Sequence, residues 1–289
     1  MKRVIISMQI GILFAMGLLV SCSSELETPI INHSNEQSIA IGPETDYGLE
    51  DEWEAYFASL DSLDAEFGIY DSGIAVMSSD TAKDRLTDLE KVVFADGMGA
   101  IAGCLGGPEG MAVGAIVGSL TEIGNLAFFS DVQLFTNPFP TSPGHTILSP
   151  SKKRLDTTEV TVNIGKMHNI IIRKMEKAKF PFLTATKQMI AEEVIRQYES
   201  YTKTELSDEQ KLIATEYNKN MYYSADPMVR LGNQRYFEAA MRLSDDKVID
   251  YTNNYLRTTR ISSLPPKDQD QLNAFASVTY HSKQLWYLK

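Results

Sequence analysis

The sequence predicts an all-α fold, a multi-helix bundle organised around a glycine-zipper helical hairpin. Three observations carry this. Apolar residues recur at three- and four-residue spacing through most of the chain, the period of an amphipathic helix. Runs alternating apolar with polar residues, the mark of half-buried strands, are almost missing. The stretch "DLEKVVFADGMGAIAGCLGGPEGMAVGAIVGSLTE", residues 88–122, places glycine or alanine every three or four positions with aliphatic residues between.

In chain order the first element is a leader. Lys2 and Arg3 precede an apolar run from Val4 that ends in Leu19-Val20-Ser21-Cys22. A basic start, an apolar core and small residues before a cleavage point form the pattern of a secretory signal. An uncleaved membrane helix would need about 20 apolar residues, which the run barely supplies. The Leu-Val-Ser-Cys ending resembles the lipobox of bacterial lipoproteins. That resemblance implies that residues 1–21 are a signal peptide and that Cys22 becomes the first mature residue, lipidated (by palmitate among others) on thiol and amine. Ser23-Ser24-Glu25-Leu26-Glu27 is similar to the surface-export signal of Bacteroidetes-type lipoproteins. It implies the outer membrane, on its periplasmic or its surface face. The membrane is then a partner through the covalent lipid, and no other cofactor is expected.

Only two cysteines exist. With Cys22 lipidated, Cys104 has no partner for an intrachain disulfide, and packing must supply the stability. Cys104, inside the glycine block, reads as a small buried hydrophobe. Residues 22–48 hold Pro29, Pro43, Asn32 and Asn35 without periodicity and read as a flexible tether. Such a coil reaches roughly 25–30 Å.

Residues 49–130 form an acidic helical region. "LEDEWEAYFASLDSLDAEF" puts Leu49, Trp53, Tyr56, Phe57, Leu60, Leu63 and Phe67 on one stripe, and Gly68 ends it. A second helical run starts near Asp80 and flows into the glycine block. Residues 131–158 hold Pro138, Pro140, Pro143, Gly144 and Pro150; they cannot be a helix interior and form a connection. Residues 159–289 read as a helical domain packed on the first. Its helices run through "VNIGKMHNIIIRKMEKA", from Pro181 through "PFLTATKQMIAEEVIRQYESY", and behind Ser207 through "DEQKLIATEYNKNMYY". They continue through "PMVRLGNQRYFEAAMRL", behind Ser244 through "DDKVIDYTNNYLRTTRI", and from Pro265-Pro266 through the last helix, with Leu272, Phe275, Thr279 and Trp286 on one side. Ser207 and Ser244 are N-cap residues.

Charge changes sign between these halves. Residues 23–150 carry 3 Lys or Arg against 21 Asp or Glu, and residues 151–289 carry 22 against 17. So acidic a first half excludes nucleic acid as a partner and opposes simple binding to anionic lipid. It also suits packing of the acidic half on the basic one.

Within the glycine block, Gly97-x-Gly99-x-x-Ala102 fits a dinucleotide fingerprint. That motif works only between a strand and a helix, and Leu86, Leu89, Val92, Val93 and Ala95 already run in helical register. A glycine zipper fits better. Ala95, Gly99, Gly103 and Gly107 are spaced by four, as are Ala102, Gly106, Gly110, Gly114 and Gly118. Each helical glycine costs about 1 kcal/mol against alanine, and close approach of two backbones offsets that. Gly106-Gly107-Pro108-Glu109 turns the chain, giving a hairpin of about 88–106 against 109–127. Its outer residues, Ile101, Leu105, Met111, Val113, Ile116, Val117 and Leu120, then meet either the other helices of a bundle or lipid. Only twelve residues separate Asp96 from Glu109, and twelve Glu109 from Glu122. A spanning helix needs about 20, which favours the bundle.

"FADGMGAIAGCLGGPEGMAVGAIVGSL" is similar to the Ala-Asp-x-x-Gly-Ala and Gly-Gly-Pro-x-Gly blocks of Bacteroidetes-type glycine-zipper lipoproteins. "NIGKMHNIIIRKM" resembles the Gly-x-x-His-Asn segment found with them, with Ile172 where leucine is usual. The resemblance implies location and architecture and brings no known activity. Bacteriocin-like peptides share the small-residue period less closely.

The polar pair His168-Asn169 is the candidate polar site. His168 shares a face with Ile164, Ile171 and Met175 and points inward, either as a core histidine or as a metal ligand or general base. His33, His145 and His281 have no partner at metal-ligand spacing, and no HExxH, CxxC, GxSxG or P-loop is present. Asp61, Asp64, Glu66 and Asp71 miss the calcium-loop spacing and read as a solvated acidic face. Tyr198, Tyr201, Tyr217, Tyr222 and Tyr223 form either an interaction surface or the rims of packed helices. The reading is therefore a lipid-anchored, non-enzymatic binding or scaffolding module with a possible protein partner or homo-oligomer. Two alternatives stand beside it: a toxin- or bacteriocin-like protein that inserts the 88–127 hairpin, and an envelope enzyme using His168.

Overall fold

The computed structural model describes residues 47–69, 86–129, 163–217 and 220–287, all within one compact unit, Asp46–Lys289. The leader, Cys22, most of the tether and the 131–158 connection lie outside the described residues, as do His33, Asp71 and His145. Among the described residues the fold is all-α, as predicted, and no strand occurs.

The helices are α1 (Tyr47–Glu66), α2 (Asp88–Ala102), α3 (Gly107–Phe129), α4 (Ile164–Lys177), α5 (Lys187–Thr202), α6 (Asp208–Glu216), α7 (Pro227–Arg242), α8 (Asp245–Thr258) and α9 (Pro266–Tyr287). A 3-10 turn, Gly103–Gly106, joins α2 to α3, and a single helical turn, Asn220–Tyr223, precedes α7.

Local chemistry sets the starts. Thr87 and Glu90 form a capping box on α2: the Thr87 amide donates to Glu90 Oε2 at 2.7 Å and the Glu90 amide to Thr87 Oγ1 at 3.3 Å. The helix therefore begins at Asp88, and residues 80–85 of the predicted run lie outside the described residues. Ser207 and Gln210 make the same box on α6. Thr186 caps α5 by accepting from the Met189 amide at 3.2 Å, so that helix starts at Lys187 and not at Pro181. Ser244 takes the extended backbone of an N-cap, but its side chain makes no cap hydrogen bond. At the other end of α7, the buried Lys283 ammonium donates to the Ala240 and Leu243 carbonyls at 2.8 and 2.5 Å, satisfying groups a helix C-terminus leaves open.

Two hydrophobic clusters fill the unit. One is built by α1, α7 and α8, with Trp53, Tyr56, Leu60, Leu63, Tyr236, Tyr251 and Tyr255 among its members. The other is built by α3, α4, α5 and α6, with Met111, Ile116, Leu120, Ile171, Met175 and Val194. Helices α2 and α9 serve both: Val93 and Met98 face the first and Val92 and Ala100 the second, while Leu272 and Phe275 face the first and Ala274 and Val278 the second.

Candidate functional site: the hairpin seam and its buried polar hub

The glycine block is a helical hairpin. A Cβ placed on Gly99 would stand 2.2 Å from Gly114 O, one on Gly103 2.0 Å from Gly110 O, and one on Gly118 2.5 Å from Ala95 O. The pairs 95/118, 99/114 and 103/110 step by four in opposite directions, the register of two antiparallel helices in backbone contact. Gly107 does not belong to this seam. A Cβ there would meet only Glu109 Oε2 at 3.9 Å, and the residue sits at φ +66° in the turn, so backbone conformation rather than space requires glycine. Gln210 ties the turn to α6 by donating from Nε2 to Gly106 O at 2.9 Å.

The outer residues Ile101, Met111, Val113, Ile116, Val117 and Leu120 are all buried, whereas Leu105 at the turn is 70% exposed. Cys104 beside it is a half-buried free thiol, pushed up in titration first by desolvation.

One ionisable residue of the seam lies wholly inside. Asp96 is buried on α2, and three donors from two other helices meet its Oδ2. Ser282 Oγ on α9 donates to it, Trp286 Nε1 on α9 donates at 3.1 Å, and His168 Nε2 on α4 stands at 3.3 Å. Gly165 makes this possible: a Cβ there would lie 2.2 Å from Ser277 O, so its absence lets α4 close on α9 and carries His168, one turn on, to the carboxylate. The other side of the ring is fixed by Asn169. Its Nδ2 donates to His281 O at 2.7 Å, which turns Oδ1 toward His168 Nδ1 at 2.9 Å. Ser119 Oγ lies 3.4 Å from His168 Nε2 and donates to Ile116 O at 3.2 Å. Both ring nitrogens thus face side-chain oxygens, Asn169 Oδ1 at Nδ1 and Asp96 Oδ2 with Ser119 Oγ at Nε2. His281 alongside donates from Nδ1 to Ser277 O at 2.9 Å. Desolvation, with the charges of His168 and Lys166 behind it, pushes His281 down to about 4.

The cluster contains the residue types of a serine–histidine–aspartate relay but not its geometry. In a relay the histidine stands between the other two, one nitrogen for each. Here Asp96 and Ser119 both face Nε2, and Asn169 occupies Nδ1. Asp96, Ser119, His168 and Ser282 are each 0% exposed. Among the described residues no three His, Cys, Asp or Glu side chains gather as metal ligands.

No family model, characterised protein or solved structure matches the chain. The site must be read from its own geometry.

Of the residues predicted from sequence, Gly99, Gly103, Gly110, Gly114 and Gly118 form the seam, and His168 and Asn169 join the hub. The fingerprint Gly97-x-Gly99-x-x-Ala102 lies within α2 with no strand before it among the described residues. The acidic face of α1 is not simply solvated. Arg235 donates to Asp61 Oδ1 at 2.5 Å and to Asp64 Oδ2 at 2.8 Å, and Tyr251 Oη donates to Asp64 Oδ1 at 2.7 Å. Of the five tyrosines singled out, Tyr198, Tyr217 and Tyr222 are buried, and Tyr201 is exposed with the Lys174 ammonium 5.2 Å from its ring centre. Asp96, Ser282 and Trp286 are site residues that the sequence does not predict, although Trp286 stands on the predicted inner side of the last helix and Asp96 bounds an apolar arm. The signal for Asp96 was a lone carboxylate inside an apolar, glycine-rich helix, where only a paired charge is tolerated.

Proposed function

We propose that the chain is a lipid-anchored protein of the bacterial outer membrane, on its periplasmic or surface face, acting as a non-enzymatic binding or scaffolding module for a protein partner or a second copy of itself. The hairpin is its packed core, and the lipid on Cys22 supplies the membrane attachment. The observation that carries this reading is the direction of the polar groups. His168, Asn169, Asp96, Ser119, Ser282 and Trp286 bond to one another and to backbone inside the bundle, which suits a structural hub and leaves no ring nitrogen for proton transfer to a substrate. Membrane insertion has one observation in its favour: residues Asp88–Leu126 are apolar enough, by length and composition, to cross a bilayer. Against it, the stretch folds back on itself at Gly107, only twelve residues lie between Asp96 and Glu109 and twelve between Glu109 and Glu122 where a span needs about 20 apolar ones, and Asp96 at mid-arm is costly in hydrocarbon.

The test uses the full-length protein in a bacterial host fed labelled palmitate. The expected result is a labelled protein in the outer-membrane fraction, with label and membrane association both lost in Cys22→Ser. An unlabelled wild type, or a Cys22→Ser protein that stays in the membrane, sinks the anchor. Dye release from vesicles by the purified protein would favour insertion instead. A hydrolase activity abolished by His168→Ala would favour an enzyme.

A further inference from the structure

One patch reverses the acidic balance of the chain. Residues 170–191 cover the end of α4, the turn after it and the start of α5. They carry Arg173, Lys174, Lys177, Lys179 and Lys187 against one carboxylate, Glu176, in a protein of net charge −11. The turn is held tightly. The Phe180 amide donates to Met175 O at 3.0 Å, and the Thr184 and Ala185 amides donate to Pro181 O at 3.0 and 2.9 Å. The Phe182 ring is buried in the second cluster, and the partly buried Phe180 ring stands 5.3 Å from it between centres. Both rings anchor the turn inward, and Leu183 beside them is left 48% exposed.

The end of α5 belongs to the same patch. Lys174 Nζ lies 5.2 Å from the centre of the Tyr201 ring, which is 40% exposed. Lys179 beyond α4 and Lys203 beyond α5 are both exposed and hold left-handed backbone, at φ +56° and +61°. The neighbouring carboxylates Glu199 and Glu205 are engaged by Lys211 at 3.4 and 3.2 Å. Helix dipoles favour lysines at these C-termini but do not account for an exposed leucine and tyrosine among them. Lysines suit anionic headgroups, tyrosine the polar–apolar boundary and leucine the acyl edge, and together they are the composition of a membrane-surface contact.

We propose that Lys174, Lys177, Lys179, Leu183, Tyr201 and Lys203 form a patch that docks the folded unit on an anionic phospholipid surface. This rests on the lipid-anchored reading above. A chain tethered to a bilayer meets it at high effective concentration, so a patch too weak to hold the protein alone still fixes which side faces the membrane. The acidic residues elsewhere do not cancel it, because salt confines the reach of exposed charges to about 8–10 Å.

Lysine footprinting of the full-length protein tests this. Protein purified from the membranes of a bacterial host is placed on vesicles of phosphatidylcholine, alone or mixed with phosphatidylglycerol. It is acetylated from the water side, and mass spectrometry reads each lysine. Lys177, Lys179 and Lys203 are expected to react about fivefold more slowly on the anionic vesicles, the factor that one lysine gains at such a surface. High salt should restore their rates, and the exposed Lys247 on α8 should keep its own throughout. Leu183→Asp, with helix content unchanged, should abolish the protection; undiminished protection in that variant overturns the proposal. Protein that floats with neither vesicle overturns the anchor and the docking together. Protein that floats with both, its three lysines reacting alike on each, overturns the docking alone. So does protection found only in the host's own membranes, which assigns the patch to a protein partner.

Discussion

The hairpin seam and the clasp that holds α1 solve the same packing problem in opposite ways. At the seam, side chains are deleted until Gly99 and Gly103 lie on the backbones of Gly114 and Gly110. At the clasp, large side chains fill the space and their polar tips pair off. Tyr56 Oη lies 2.8 Å from Tyr255 Oη, Tyr236 Oη lies 2.7 Å from Thr252 Oγ1, and Arg235 forks onto Asp61 and Asp64. The rings of Tyr236 and Tyr255 stand 4.6 Å apart between centres. A seam of backbones has nothing that can rotate away, whereas a clasp of side chains can repack. Sensitivity to added atoms should therefore be severe at the seam, and sensitivity to lost hydroxyls moderate at the clasp.

The largest effect is expected from adding atoms at the seam. Gly103→Val should destabilise by about 4 kcal/mol or more, or prevent folding, because no rotamer relieves a clash with backbone. Chemical denaturation measures it, and a loss near 1 kcal/mol would mean that the helices part easily. Next is the hub. His168→Ala removes one of the three groups that meet Asp96 Oδ2 and empties the space the buried ring fills, and should cost about 3–5 kcal/mol. The double change Asp96→Leu with His168→Leu should cost less than His168→Ala, since it removes both members of the pair and keeps the space filled, and a double-mutant cycle reads that coupling. At the clasp, Tyr255→Phe strands the Tyr56 hydroxyl and should cost about 1–2 kcal/mol.

Acid should act through His281. Its folded-state titration lies at about 4, below the ordinary histidine value, so between the two the unfolded chain binds a proton that the folded chain does not. Stability then falls as pH drops from the histidine range toward 4, by about 3 kcal/mol in all. His281→Gln should flatten that part of a melting-temperature-against-pH curve. The smallest effect has the opposite sign. Gly124, on α3 beyond the seam, has nothing within 4 Å of a Cβ, so Gly124→Ala should stabilise by about 0.5–1 kcal/mol.

The seam was largely legible in the sequence because its information is local. Glycines four apart on each arm, with a turn between, define a hairpin without reference to the rest of the chain. Gly107 carried two expected roles, in the zipper row and in the turn, and only the turn holds, because spacing alone does not separate a packing glycine from one that turns the chain. The hub was half legible. The inward face of His168 follows from its spacing to Ile164 and Ile171, but its partners come from α2 and α9, and only the fold brings Asp96, Ser282 and Trp286 together. Asp96 served in the sequence as a marker for the end of an apolar arm, when its burial makes it the centre of the site. The tyrosine clasp was least legible. Tyr56 stood on a predicted stripe, but the pairing of its hydroxyl with Tyr255 depends on how α1 lies against α8.

Native-state hydrogen exchange of the backbone amides of α2 and α3 tests the account most directly. If the hairpin is the core, its seam amides should be among the slowest in the chain, opening only with global unfolding, and lipid vesicles should leave them so. If they exchange by a separate, lower-energy opening, or lose protection when vesicles are added, the hairpin is a detachable element and the account is wrong.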